Sequence, residues 1–141
     1  MARPPMVLVV DDEVAVAQMI CEALESRGLR VTHCHDAAQA VLQAEGVTPA
    51  LLIADIMMPA WGSGVDAFRR LRARKRFQRL PVIFLTGMHS EMARKVVPDD
   101  DPMVRLLFKP VTLAKLMLTI RELTGDRLLG PAPKAKEAKN G

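Results

Sequence analysis

Three aspartates, one threonine and one lysine stand where apolar runs of this chain stop. Met6-Val7-Leu8-Val9-Val10 runs into Asp11-Asp12, and Leu51-Leu52-Ile53-Ala54 runs into Asp55. Pro81-Val82-Ile83-Phe84-Leu85 runs into Thr86, and Val104-Arg105-Leu106-Leu107-Phe108 runs into Lys109-Pro110. Gathered bare, Asp11, Asp12 and Asp55 would repel one another, so something must neutralise them or one must take up a proton. A hard divalent cation suits them best: Mg2+ prefers oxygen ligands, keeps several waters and commonly uses one or two carboxylates plus phosphate oxygens. No His or Cys directly adjoins these residues, which argues against zinc. Lys109 supplies a compact positive charge with three donors, and Thr86 supplies a hydroxyl. Such a set fits a substrate whose charge is spread over several oxygens. Phosphoryl transfer needs in-line positioning and neutralisation of the equatorial oxygens, and carboxylates are nucleophiles in aspartyl-phosphate chemistry. Asp55, alone at the end of its run, is the candidate nucleophile.

These residues converge only if the apolar runs are strands of one sheet. Short apolar runs bounded by a polar break and Pro or Gly read as strands buried on both faces. Ligands of open α/β sheets bind at the carboxyl ends of the strands. Between the strands lie helical patterns. In residues 13–27, Val14, Ala17, Ile20, Cys21 and Leu24 fall on one face, and Gly28 marks a stop. Residues 29–34 suit a second strand. Asp36 with Gln39 is a capping-box-like start for a helix carrying Ala37, Ala40, Val41 and Ala44, which Gly46 is expected to close. Val65, Phe68 and Leu71 predict a third helix to about residue 75, and residues 88–97 a short fourth. Thr112 is the expected N-cap of a fifth, with the stripe Leu113, Leu116, Met117, Ile120 and Leu123 and a stop at Gly125. Strand and helix alternate five times, which predicts an α/β fold: a doubly wound five-stranded parallel sheet with five helices.

At 141 residues, half of them hydrophobic, the chain is read as one domain with a core that needs no metal or disulfide to fold. It divides into an extension over residues 1–5, a folded domain over 6–125 and a basic tail over 126–141 that reads as disordered. The formal net charge is +4, and the tail carries much of it through Arg127, Lys134, Lys136 and Lys139 against Glu137. The folded part is nearly neutral, so charge gives no reason to expect nucleic acid as a partner. Cys21 and Cys34 fall in apolar periodic segments and read as buried free thiols. No apolar run approaches a membrane span and residues 1–5 lack the features of a signal peptide, so the expected location is cytoplasmic, away from membranes.

Taken together, Asp11-Asp12-Glu13 after an apolar strand, Asp55-x-x-Met58-Pro59, Thr86-Gly87 and Lys109-Pro110 resemble a response-regulator receiver domain over roughly residues 6–124. The resemblance implies the flavodoxin-like, CheY-like sheet order 2-1-3-4-5. It implies a chain that is not an enzyme but accepts a phosphoryl group on Asp55 from a sensor histidine kinase or a histidine phosphotransfer protein, and signals through contacts with a downstream protein. It also implies Mg2+ held by Asp12 directly, by Asp11 mainly through water, by Asp55 and by the backbone carbonyl of Met57, with Thr86 and Lys109 on the phosphoryl group and a cis bond between Lys109 and Pro110. Three positions depart from the family pattern. Leu106 stands where most receivers carry Tyr or Phe, Val111 replaces a common Phe, and the loop Ala60-Trp61-Gly62-Ser63-Gly64 is one residue longer than usual. They leave a switch-deficient, receiver-like interaction module as the alternative reading.

The remaining polar features are expected to be structural. Residues 69–79 hold seven Arg or Lys and no acid, which reads as a solvated face at a helix C-terminus favoured by the helix dipole. Asp99-Asp100-Asp101 reads as a solvated turn at the far end of the sheet from Asp55. Trp61 is expected to pack over its loop near the site. His33, His35 and His89 are assigned no role.

Overall fold

The computed structural model describes residues 4–56, 64–87 and 89–130. Its strands are β1 (Met6–Val10), β2 (Arg30–Cys34), β3 (Leu51–Asp55), β4 (Val82–Thr86) and β5 (Val104–Phe108). Its helices are α1 (Val14–Glu25), α2 (Ala37–Val47), α3 (Gly64–Arg72), α4 (Ser90–Val96) and α5 (Leu113–Thr124). All strand pairs are parallel, in the order β2-β1-β3-β4-β5. The expected sheet is therefore the observed one.

The two-residue period of a strand explains why both faces are covered. Leu8, Val10, Leu52, Ala54, Val82 and Phe84 point to one face, under α2, α3 and α4. Val7, Val9, Leu51, Ile53, Ile83 and Leu85 point to the other, under α1 and α5. Fully burying each Val, Leu, Ile or Phe among them stabilises the fold by roughly 1.5–3 kcal/mol, and β3, the middle strand, is buried over its whole length. The helix starts follow local chemistry. The Asp36 carboxylate accepts from the Gln39 amide at 2.8 Å, and the Thr112 hydroxyl accepts from the Lys115 amide at 3.1 Å. The reciprocal bond of Gln39 goes one residue further out than in a capping box, to the amide of His35 at 3.1 Å.

Several sequence expectations shift. Helix α2 continues through Gly46 to Val47 and is stopped by Thr48, whose φ of 47° is left-handed. Pro49 follows and cannot continue the helix, and Arg76 satisfies the freed end by donating to the Glu45 carbonyl and the Thr48 hydroxyl. Helix α3 stops at Arg72, short of residue 75, and a single 3-10 turn, Lys75–Phe77, replaces its last turn. That turn drops Phe77 into the core. The reading of residues 69–79 as a solvated face fails at Arg72. Its guanidinium donates to the carbonyls of Phe77 and Leu80 at 2.7 Å each, pairs with Asp101 at 2.9 and 3.1 Å, and lies over the Phe68 ring. Asp101 is accordingly not part of a solvated turn, although Asp99 and Asp100 are exposed.

The ends of the domain are tied down. Arg30 donates from its backbone to Pro5 and from its side chain to Pro4. Leu128 and Leu129 pack into the core beyond α5, so the chain stays folded through Gly130 where a tail was expected from residue 126. Cys34 is buried and Cys21 half-buried, both free. Among the described residues, no helix is long and apolar enough to cross a membrane.

Candidate functional site: an acidic cluster at the carboxyl ends of the strands

β1 and β3 are neighbours in the sheet, so the residues that follow or end them meet by construction. Ligand oxygens of Asp11, Asp12 and Asp55 all lie within 4.8 Å of one another. Asp11 and Asp55 are buried and Asp12 faces solvent. β4 and β5 bring the other two predicted residues. Thr86, the last residue of β4, is fully buried, and its carbonyl accepts from the backbone amide of Lys109 at 2.7 Å. The Lys109–Pro110 bond is cis, as the resemblance implied. Five of the six predicted site residues thus converge on one sheet edge. The sixth, Met57, lies outside the described residues, as does Trp61.

The Lys109 ammonium is the electrostatic hub. It lies 3.0 Å from Asp11 Oδ2, 3.1 Å from Asp55 Oδ2 and 2.6 Å from Glu13 Oε1. Burial alone would lower its pKa, but hydrogen bonds to Glu13, Asp11 and Asp55 overcome that and hold it above the ordinary lysine value. Lys109 therefore stays charged at every physiological pH. One ammonium cannot balance four carboxylates. Among the described residues, Asp11 Oδ2 is buried without a well-directed hydrogen bond, and the Lys109 charge 3.0 Å away compensates it. A buried, under-coordinated carboxylate oxygen facing two further carboxylates fits a hard, oxygen-seeking cation.

Two residues here had no role in the sequence reading. Glu13 was read only as part of the acidic motif, yet it makes the shortest contact to Lys109. His33 sits on β2 opposite Val9 in register, and its Nε2 is 2.8 Å from the Asp11 carbonyl oxygen. That partner is backbone, so no side-chain motif could have announced it. The Asp11 carboxylate also accepts from the Glu13 amide at 2.8 Å, which closes the turn between β1 and α1. Behind the site, Gly64 opens α3 against the end of β3. A Cβ on it would stand 2.3 Å from the Asp55 carbonyl oxygen.

Leu106 pairs in register with Phe84 and packs against the core, while Phe108 pairs with Thr86 and lies under the guanidinium of Arg94. The aromatic neighbour of Thr86 is therefore two residues further along β5 than the position expected from the family pattern. A cleft of about 440 Å3 lined by Glu13, Val16, Met19, Gly87, Lys109, Pro110 and Val111 opens beside the ammonium.

Comparison with known proteins accords with this geometry. The family model described as "Response regulator receiver domain" matches residues 7–121. A response regulator of Synechocystis sp. is 41% identical over 120 residues, covering 83% of this chain and 52% of its own length. The phosphate regulon transcriptional regulatory protein PhoB of Rhizobium meliloti is 34% identical over 121 residues, covering 84% and 52%. The chain thus spans about half the length of these curated relatives. Among solved structures, the chemotaxis protein CheY4 of Vibrio cholerae superposes with a TM-score of 0.76 at 23% identity, covering 85% of this chain and 98% of that one. A response regulator receiver protein from Pseudomonas putida gives 0.73 at 31% identity, covering 86% and 99%. A parallel sheet in the order β2-β1-β3-β4-β5, an acidic cluster at its carboxyl edge and a family match over most of its length make this chain a member of the response regulator receiver domain family, the phosphoacceptor module of two-component signalling.

Proposed function

We propose that Asp55 is the phosphoacceptor of this receiver and that the chain is a signalling switch rather than an enzyme. The observation that carries this is the meeting of three carboxylates within 4.8 Å, two of them, Asp11 and Asp55, in contact with the Lys109 ammonium. An Asp55 carboxylate oxygen attacks phosphorus, the P–N bond of a phosphohistidine donor breaks, and the electron pair leaves with the imidazole nitrogen. The family supports a sensor histidine kinase or histidine phosphotransfer protein as that donor.

Asp11, Asp12 and Asp55 would hold Mg2+, with the Met57 carbonyl assigned by resemblance. When bound, that ion neutralises the equatorial oxygens of the transferring group. Lys109 supplies a permanent positive charge to the same oxygens, and Thr86, whose carbonyl accepts from the Lys109 amide, supplies a hydroxyl at the neighbouring strand end. The output is contact with a downstream protein, in the cytoplasm. The PhoB relatives are named as transcriptional regulators, but the basic run here is partly spent on structure through Arg72, and we assign it no nucleic acid.

The test is incubation with Mg2+ and acetyl phosphate, followed by mass spectrometry. One phosphoryl group is expected on the wild type and none on Asp55→Asn. Labelling that survives in Asp55→Asn would overturn the assignment.

A further inference from the structure

The structure assigns Glu13 as a positioning residue that competes with the phosphoryl group for the Lys109 ammonium. This rests on the reading of Asp55 as phosphoacceptor. An ammonium has three N–H donors, and all three carboxylates around Lys109 stand within salt-bridge reach of it, Glu13 nearest at 2.6 Å. Phosphorylation turns the Asp55 carboxylate into an acyl phosphate, so its single charge gives way to a phosphoryl dianion that takes over the donor serving Asp55 and draws the ammonium inward. An ammonium drawn inward must loosen its hold on a remaining partner. The Asp11 side chain is only 1% exposed, so water cannot take over from Lys109 there. The Glu13 side chain is 57% exposed, and water solvates it as soon as Lys109 leaves. Glu13 is therefore the contact that breaks.

The local backbone supports this. Glu13 occupies the N-cap of α1, where Ser, Thr, Asp and Asn are preferred because their short side chains bond back to the helix amides. Its side chain makes no such cap bond and reaches across to Lys109 on the far strand end. In the resting protein Glu13 thus draws Lys109 toward the rim of the site. Phosphorylation draws it inward, and the strength of the rim contact sets part of how tightly the phosphorylated state is held.

The experiment measures, by calorimetry in saturating Mg2+, the affinity of the full chain for beryllofluoride, a mimic of the acyl phosphate. Three proteins are compared: wild type, Glu13→Gln and Glu13→Asp. Glu13→Asp keeps the charge but withdraws the carboxylate by roughly 1.5 Å, one C–C bond length. Because the broken contact is a solvent-exposed ion pair, both variants are expected to bind roughly two- to fivefold more tightly than wild type. Equal affinity in all three overturns the proposal. So does a Glu13→Asp protein that binds like wild type while Glu13→Gln binds more tightly, since that pattern means rim charge and not contact with Lys109. Weaker binding in either variant also overturns it. A wild type that fails to bind beryllofluoride in an Asp55-dependent way instead removes the phosphoacceptor reading itself.

Discussion

His33 Nε2 lies 2.8 Å from the carbonyl oxygen of Asp11, and this contact ties the edge strand β2 to the acidic turn that follows β1. Residues that orient metal-binding carboxylates from behind commonly matter to affinity by 10- to 100-fold. His33→Ala is expected to weaken Mg2+ binding about tenfold while leaving the fold intact. His33→Gln, whose amide nitrogen can occupy the Nε2 position, should recover part of the loss. A Mg2+ titration followed by amide NMR reads this directly, and an unchanged affinity in His33→Ala would show the contact to be incidental.

Metal should stabilise the protein as well as prime it. The cluster gathers Asp11, Asp12 and Asp55 within 4.8 Å of one another, with the Lys109 ammonium on Asp11 and Asp55, so a cation bound there favours the folded chain. At a concentration one hundred times its Kd, such a ligand adds about 2.7 kcal/mol. Thermal melts with and without Mg2+ should show a clear rise in Tm. In Asp12→Asn the metal-free Tm should be higher than that of wild type, because one like charge has gone, and the rise with Mg2+ should shrink. If Mg2+ leaves the wild-type Tm unmoved, the cluster is not a metal site.

Arg72 is expected to be the most sensitive member of the basic run. Replacing it with Ala strips donors from the Phe77 and Leu80 carbonyls and a partner from Asp101. The cost should be roughly 2–4 kcal/mol, against little at exposed Arg69 or Arg70. The Arg72 hydrogen bond holds the Asp101 carboxyl below its ordinary value of 3.8. A carboxyl with a depressed folded pKa stabilises above its unfolded pKa and loses that contribution as pH falls through the folded one. The difference between wild type and Arg72→Ala, measured by urea unfolding, should therefore hold at neutral pH and narrow below about pH 4.

At alkaline pH the sign is set by Cys34. Burial, with a smaller effect from Asp36, pushes its thiol from 9.0 up to about 11. The folded chain keeps the proton between those values while the unfolded chain loses it, so stability should fall as pH rises from 9 towards 11. Lys109 behaves differently. Its raised pKa means that its contribution is fully present below its ordinary value of 10.5 and fades only at higher pH. Cys34→Ala should be less stable than wild type near pH 7, yet lose less stability over that alkaline interval. Parallel slopes in urea midpoints would show that the thiol does not titrate on unfolding.

The acidic cluster was legible in the sequence because it is written in side chains at strand ends. An apolar run that stops at Asp55 or at Asp11-Asp12 tells where a strand ends and what it presents there, and parallel order does the rest. The parts that were not legible depend on backbone or on three-dimensional company. His33 looks like one polar residue in a half-buried strand until its carbonyl partner is placed. Arg72 is hidden among six exposed cations, since a charge run gives no sign of which member turns inward. Gly46 looked like a helix stop, but Thr48 ends α2, because the proline after it and the guanidinium of Arg76 decide the geometry. Glu13 was visible as a letter of the motif, but its reach to Lys109 spans most of the chain.

The bare α-carbon at Gly64 makes strand β3 vulnerable from its rear. Any larger residue there would collide with the main chain of Asp55 and the methyl of Ala54, levering α3 away and tilting the carboxylate off its aim. A lesion at this spot could silence the protein with every reactive group still present, so a survey of variants that looked only at charged positions would overlook it.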